Sequence, residues 1–285
     1  MLDSVANLSR LFTTHPLTRD APMGAWARFA SWQLRSRLQE EVVHSWIAGQ
    51  RLAIRRGMKG ATGNIYVGLQ EFEDMMFPLH FLREGDLFLD IGANVGTFTV
   101  LASGVCGAAT WAFEPDPNTS VHLKRNIEIN KLDALVTVHQ CALGPVEAEV
   151  PFTIGLDCTN KVLPAGEKDA RIVHQEPLDN LVGAARPIMI KMDVEGYEED
   201  VLKGARALLA NPCLMVVELE TVNPGIEQMM LGAGFEEVFY DPFTRALKPE
   251  PIGQKPWNSL FIRDRSVVEE RLATAKRIEV LGQSI

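Results

Sequence analysis

Apolar residues recur along this chain in two patterns, short unbroken runs and longer stretches spaced three to four apart. The runs at 87–89, 110–113, 135–140, 188–193, 214–219, 235–240 and 259–263 predict seven strands. Helical spacing predicts helices over 97–105, 118–130, 178–182, 199–210 and 226–232, with a last one over 266–280. An earlier helix over about 68–82 carries Gln70, Glu71, Glu73 and Asp74 at its N-terminal end, where negative charge suits the helix dipole. Strands that are apolar throughout belong in a sheet covered on both faces, and strand–helix alternation makes that sheet mostly parallel. The expected fold is therefore α/β and doubly wound. Between 146 and 175, β-like runs alternate with Gly, Pro, Asp and Asn, which predicts an inserted hairpin or lid.

The first 60 residues differ from the rest. Trp26, Phe29, Ala30, Gln33, Leu34 and Leu38 approximate one helical face, and 42–47 and 51–55 flank Gly49-Gln50 as a hairpin. Between Arg19 and Lys59 stand eight Lys or Arg against three acids, in a chain of net charge −9. Such a helix either packs its aromatic face on the main domain or lies on a membrane surface; packing is the expectation, with peripheral membrane contact as its rival. The chain divides into a helix-and-hairpin extension (1–60), a main domain (61–265) and a C-terminal helix (266–285).

Composition narrows the class. With 46% hydrophobic and 23% charged residues in 285, the sequence is that of an ordinary globular protein. A negative net charge argues against nucleic acid as a partner. Four scattered cysteines without a CxxC pair read as reduced thiols, and no signal-peptide pattern opens the sequence. The expected compartment is the cytoplasm.

Ligands of open α/β sheets sit beyond the carboxyl ends of the strands. The residues there are Asp90, Glu114, Cys141 to Leu143, Asp193 and Glu218. The turn after the first main strand, Gly92-Ala93-Asn94-Val95-Gly96-Thr97, has Asn and Thr where a dinucleotide fingerprint needs its second and third glycines. Asp90 at its mouth disfavours a pyrophosphate and suits an ammonium group. Glu114, 18 residues after Gly96, is placed to accept hydrogen bonds from ribose hydroxyls. A ribose, a cationic amino-acid end and no phosphate together describe S-adenosylmethionine.

Several segments carry a resemblance: Glu71-Phe72-Glu73, Asp90 to Gly96, Phe113-Glu114-Pro115, Ala142-Leu143-Gly144, Leu178-Asp179-Asn180, Ile190 to Glu198 and Asn258-Ser259-Leu260. In this order the chain resembles the FkbM family of S-adenosylmethionine-dependent methyltransferases, with a Rossmann-like, mostly parallel, seven-stranded class I sheet. The resemblance implies O-methyl transfer to a hydroxyl of a sugar, glycolipid or natural product. It implies a cofactor site of Asp90, Gly92, Ala93, Asn94, Gly96, Thr97, Glu114, Pro115, Cys141, Ala142 and Asp193. In it Asp90 faces the ammonium group, the glycines admit the methionyl end, and main chain at Cys141 and Ala142 meets the adenine.

An alcohol acceptor needs alignment with the methyl carbon and a positioned base. Lys191, Asp193 and Glu195 alternate and, if extended, share a face. With Glu218 they are the catalytic candidates. Asp193 and Glu218 are also the pair able to hold a divalent ion, although no metal is expected; the plain alternatives are a Lys191–Glu195 ion pair and a turn held by Glu218. Acceptor contacts are expected from Thr159-Asn160, His174 and Tyr197, with His139 a further candidate base and Trp257 a candidate sugar-stacking ring. Nucleic-acid methyltransferases would place an Asn/Asp-Pro-Pro-aromatic block where Asp-Val-Glu-Gly stands. A non-catalytic cofactor-binding module would lack the acids after the fourth strand, and a dehydrogenase is disfavoured by the turn.

Overall fold

The computed structural model describes residues 2–285 apart from 154, 156–159, 165–169, 252–255 and 257, and omits the side chains of residues 2–4 and 59. Thr159, Cys158 and Trp257 lie outside the described residues.

Two helices, α1 (Leu2–Thr14) and α2 (Pro22–Leu38), open the chain, followed by an antiparallel hairpin of β1 (Val42–Ser45) and β2 (Arg51–Ile54). Helix α3 (Lys59–Val67), which the apolar spacing does not predict, precedes α4 (Phe72–Phe81). Then come β3 (Leu87–Ile91), a short α5 (Thr97–Thr99) that widens into a π-type turn over Val100–Val105, β4 (Ala109–Phe113), α6 (Pro117–Asn130) and β5 (Val136–His139). The expected helix over 97–105 thus loosens in its second half, where the Gln50 amide donates to Gly104 O at 2.9 Å. The expected insertion is a small sheet of β6 (Ala142–Leu143), β7 (Ala148–Phe152) and β8 (Arg171–Glu176), in the order β6-β8-β7.

After α7 (Leu178–Val182) and β9 (Met189–Met192), the helix expected over 199–210 divides into α8 (Glu198–Lys203) and α9 (Arg206–Leu209). The division falls at Gly204, where a Cβ would meet Gly144 O at 2.0 Å. The remainder is β10 (Val216–Leu219), α10 (Pro224–Gly232), β11 (Glu236–Asp241), β12 (Ala246–Lys248), β13 (Ser259–Ile262), α11 (Arg265–Ala273) and a closing hairpin, β14 (Glu279–Val280) with β15 (Gln283–Ser284). The last helix is therefore shorter than the sequence predicts, and Val280 belongs to the closing two-stranded hairpin rather than to a helix.

Among the described residues the main sheet has eight strands in the order β12-β11-β13-β10-β9-β3-β4-β5. The five from β10 to β5 are parallel, and β13, β11 and β12 join them through successive antiparallel pairings. The added strand is β12, too short to show a periodicity of its own. From β3 the chain first winds outward through β4 and β5, then returns to place β9 on the other side of β3. That reversal creates the crevice in which such sheets hold ligands.

Apolar clusters cover both sheet faces, one under α4 and α11, another under α7 to α10. A third joins Phe12, Trp32, Leu52 and Ile54 of the N-terminal elements to Val95, Leu123 and Ile127 beside the glycine turn. The buried side of α2 is Ala25, Trp32 and Ser36, and the ring of Phe29 packs edge-on against Tyr66 at 5.4 Å. Leu34 and Leu38, expected on that face, are exposed, because the helix is anchored by Trp26, Phe29 and Trp32 in a register rotated from the simple apolar count. No described helix is long and apolar enough to cross a membrane.

Candidate active site

At the carboxyl ends of the parallel strands lies a cavity of about 450 Å³. Its floor is the turn after β3. Gly92 adopts φ +76° and Asn94 φ +51°, so the chain reverses tightly. A Cβ on Gly92 would lie 1.8 Å from Asp193 O, and one on Gly96 would meet Leu123 at 2.5 Å. The space beside both glycines is thus occupied by the protein itself. Gly92 still presents its backbone to the cavity, whereas Gly96 does not line it.

Glu114, ending β4, binds the turn to the next helix. Its Oε2 accepts from the Asn94 N–H at 3.0 Å and its Oε1 from the Asp116 N–H at 2.9 Å. Burial pushes its carboxyl up to about 7 despite those bonds. Asp116 then caps α6 by accepting from the Asn118 N–H at 3.1 Å, and it pairs with Arg171 at 2.7 Å. Ala93, Thr97, Pro115, Cys141 and Ala142 also line the cavity. Burial raises the Cys141 thiol to about 11, so it stays protonated at neutral pH.

Asp90 is placed differently from the expectation. It is 1% exposed and absent from the cavity wall. Its Oδ2 accepts from Thr99 Oγ1 at 2.5 Å, while Oδ1 has no partner. Burial raises its carboxyl, partly countered by Lys191. Alternation along β3 carries this side chain between sheet and helix, off the cavity wall.

The acid-rich end of the cavity follows β9. Lys191 is buried yet donates to Asp193 Oδ2 at 2.9 Å, and its Nζ sits 4.7 Å from the centre of the Phe98 ring. Burial alone would lower it, but Asp193, Glu71 and Asp90 outweigh that and hold it above its ordinary value. The ion pair is thus Lys191–Asp193 rather than Lys191–Glu195. The strand ends at Met192 and Glu195 sits at φ +56°, so the extended alternation of 191, 193 and 195 is broken. Glu198 makes the bend: its Oε1 accepts from the Val194 N–H at 3.2 Å and the Gly196 N–H at 3.3 Å. All three residues still reach the cavity.

Glu218 does not. It is 1% exposed, behind the wall, and accepts from Asn258 Nδ2 at 2.9 Å. The acid that joins Asp193 and Glu195 is Glu220, one carboxylate oxygen of each of the three lying within 4.8 Å of the others. The metal-capable pair expected from sequence is accordingly displaced by two residues, from Glu218 to Glu220. The signal was present in Glu218-Leu219-Glu220: alternation puts 218 and 220 on one side, and the strand's length decides which one emerges. Burial raises the Glu220 carboxyl, with Asp193 and Glu195 adding to it. Its Oε2 is inaccessible and meets no hydrogen-bond donor.

Tyr197 lines the cavity and donates to Gln175 Oε1 at 3.1 Å; Asn160 lines it too and accepts from Thr153 Oγ1 at 3.1 Å. His174 is outside, on the small sheet between Glu149 at 3.3 Å and Glu176 at 3.0 Å, whose hydrogen bonds raise it. His139 is also outside, stacked on Phe113 at 4.7 Å. Unforeseen wall residues are Gly60, Gln70, Phe152 and Val162. Glu71 and Asn258 belong to the motif segments but had no role assigned, and both line it.

The doubly wound sheet and its switch-point cavity are those of a class I methyltransferase fold. The chain belongs to the FkbM methyltransferase family: residues 90–239 match its domain. A hexuronic acid methyltransferase, AglP of Haloferax volcanii, is 29% identical over 146 residues, which are 50% of this chain and 59% of that protein. "Methyltransferase 1" of Beauveria bassiana is 26% identical over 165 residues, 49% of this chain and 66% of the relative. The chain thus spans less than two thirds of either. The FkbM methyltransferase structure from Methylobacillus flagellatus aligns with TM-score 0.44 and 15% identity, covering 83% of this chain and 59% of that one.

Proposed function

We propose that this protein is an S-adenosylmethionine-dependent O-methyltransferase acting on a hydroxyl of a sugar, glycolipid or natural product. One observation carries the reading: a single cavity joins a nucleoside-fitting end, at Glu114, Pro115, Cys141 and Ala142, to an acidic end at Asp193, Glu195 and Glu220. The Glu114 oxygens each take one backbone N–H and keep lone pairs for ribose hydroxyls. Glu71 and Asp193 on the wall suit a cationic ligand. When bound, the cofactor supplies an electrophilic methyl group on sulfur. The chain's own residues do the rest: the cavity walls fix the acceptor's approach, and a carboxylate of the acidic end takes the hydroxyl proton. Lys191 keeps Asp193 in one position. The hexuronic acid methyltransferase AglP supports a sugar as the class of acceptor, although its own substrate is an acidic sugar.

The reading is tested by incubating the protein with S-adenosylmethionine and candidate hydroxyl acceptors and measuring, by mass spectrometry, a gain of one methyl group on oxygen. Glu114→Ala should weaken cofactor binding by about tenfold or more, the loss expected for a hydrogen bond to a charged group. Calorimetry showing unchanged affinity overturns the ribose assignment.

A further inference from the structure

We propose that the acceptor end of this cavity selects against negative charge, taking an uncharged or amine-bearing hydroxyl compound and excluding a carboxylated or phosphorylated one. The proposal rests on the cavity being the methyl-transfer site and names its substrate class more closely.

Three carboxylates converge there, Asp193, Glu195 and Glu220, with one oxygen of each within 4.8 Å of the others. One cation, Lys191, shares the described wall with them. Its charge is already matched, since it pairs with Asp193 at 2.9 Å and also faces Glu71 and Asp90. The nearby Arg171 is held by Asp116 at 2.7 Å, and Lys161, which acts on Glu195, is exposed. An incoming carboxylate or phosphate thus meets three acids whose one cation on the described wall, Lys191, is already paired, while the exposed Lys161 ammonium lies off that wall.

Hydrogen bonding points the same way. Among the described residues the N–H donor to these three carboxylates is Lys191, through Asp193 Oδ2 at 2.9 Å. A carboxylate accepts and does not donate. Hydroxyl and ammonium groups bring the donors this end lacks; carboxylates and phosphates bring more acceptors. Tyr197, Phe152 and Val162 on adjoining wall offer apolar surface to the carbon face of such a compound.

The test titrates methyl glucoside, methyl glucosaminide and methyl glucuronide into protein saturated with S-adenosylhomocysteine, in EDTA, with binding followed by ligand-observed NMR. Like-charge juxtaposition should make the glucuronide about tenfold weaker or worse than the other two. Glu195→Gln and Glu220→Gln should each narrow that gap, with affinity for S-adenosylhomocysteine and the thermal midpoint reporting an intact fold. Equal or tighter binding of the glucuronide overturns the proposal, as does a gap untouched by both variants or binding of none of the three. Glucuronide binding restored by Mg²⁺ also overturns it, since a bridging ion would then set the charge. A parallel incubation with S-adenosylmethionine separates the two readings: the expected binding order without methylated product sinks O-methyl transfer and leaves charge selection standing.

Discussion

Gly92 shows how narrowly the site is set at the scale of one residue. Its positive φ, and the 1.8 Å that would separate a Cβ at this position from Asp193 O, leave no room for a side chain. Gly92→Ala should lower stability by at least ~2 kcal/mol, from strain and overpacking together. Thermal unfolding will read this as a fall of several degrees, and an unchanged midpoint would mean that the turn has another conformation open to it. The same close approach ties the turn to the acidic end, because the carbonyl in question belongs to Asp193. Asp90 and Glu220 mark the limit of residue-level reading. Both acids follow apolar runs, yet strand alternation and length put the first inside the protein and the second on the cavity wall.

Between elements, Asn126 holds a position the motifs do not mention. Fully buried on α6, its Oδ1 accepts from the Ala53 N–H of β2 at 2.7 Å, and its Nδ2 donates to Val95 O of the glycine turn at 2.8 Å. The N-terminal hairpin is thereby linked to the turn below the cavity. Asn126→Ala strands a buried N–H and a buried carbonyl, which should cost roughly 2–4 kcal/mol. Denaturant titration checks the stability. Calorimetry should show weaker cofactor binding too, because the turn loses its brace; a loss of stability with unaltered affinity would show that hairpin and turn are independent.

At the scale of the whole chain, the burial of several acids around one cavity couples stability to pH. Glu114 is raised to about 7, and Glu218 and Glu220 are raised as well, each chiefly by burial. Acids with folded values above their unfolded ones favour the fold while protonated, and that contribution is lost as pH rises through the folded values. His15 and His80, lowered to about 4 by burial, act oppositely, but only below about 6.5, where the unfolded chain takes up their protons. The ligand-free protein should therefore lose stability between pH 6.5 and 8.5, on the order of 2 kcal/mol. A bound cation at the cavity should flatten that slope. Thermal midpoints across this range, with and without S-adenosylmethionine, decide it; a flat ligand-free profile would mean that these acids are ionised throughout.

Local sequence suffices for the main sheet apart from β12, for its switch point and for the residues at the ends of its parallel strands. Buried parallel strands read as unbroken apolar runs, and a tight βα turn requires its glycines, so both leave local marks. Which strand-end residues meet was settled by folding in three dimensions. Glu220 replaced Glu218, Lys191 paired with Asp193, and His174 moved to the outer sheet, because strand length, one positive φ at Glu195 and the packing of separate elements set those contacts. The cavity wall owes Gly60, Gln70 and Glu71 to a segment that precedes the first strand of the main sheet. Periodicity reports what faces a core; it carries no record of which distant loops converge above it.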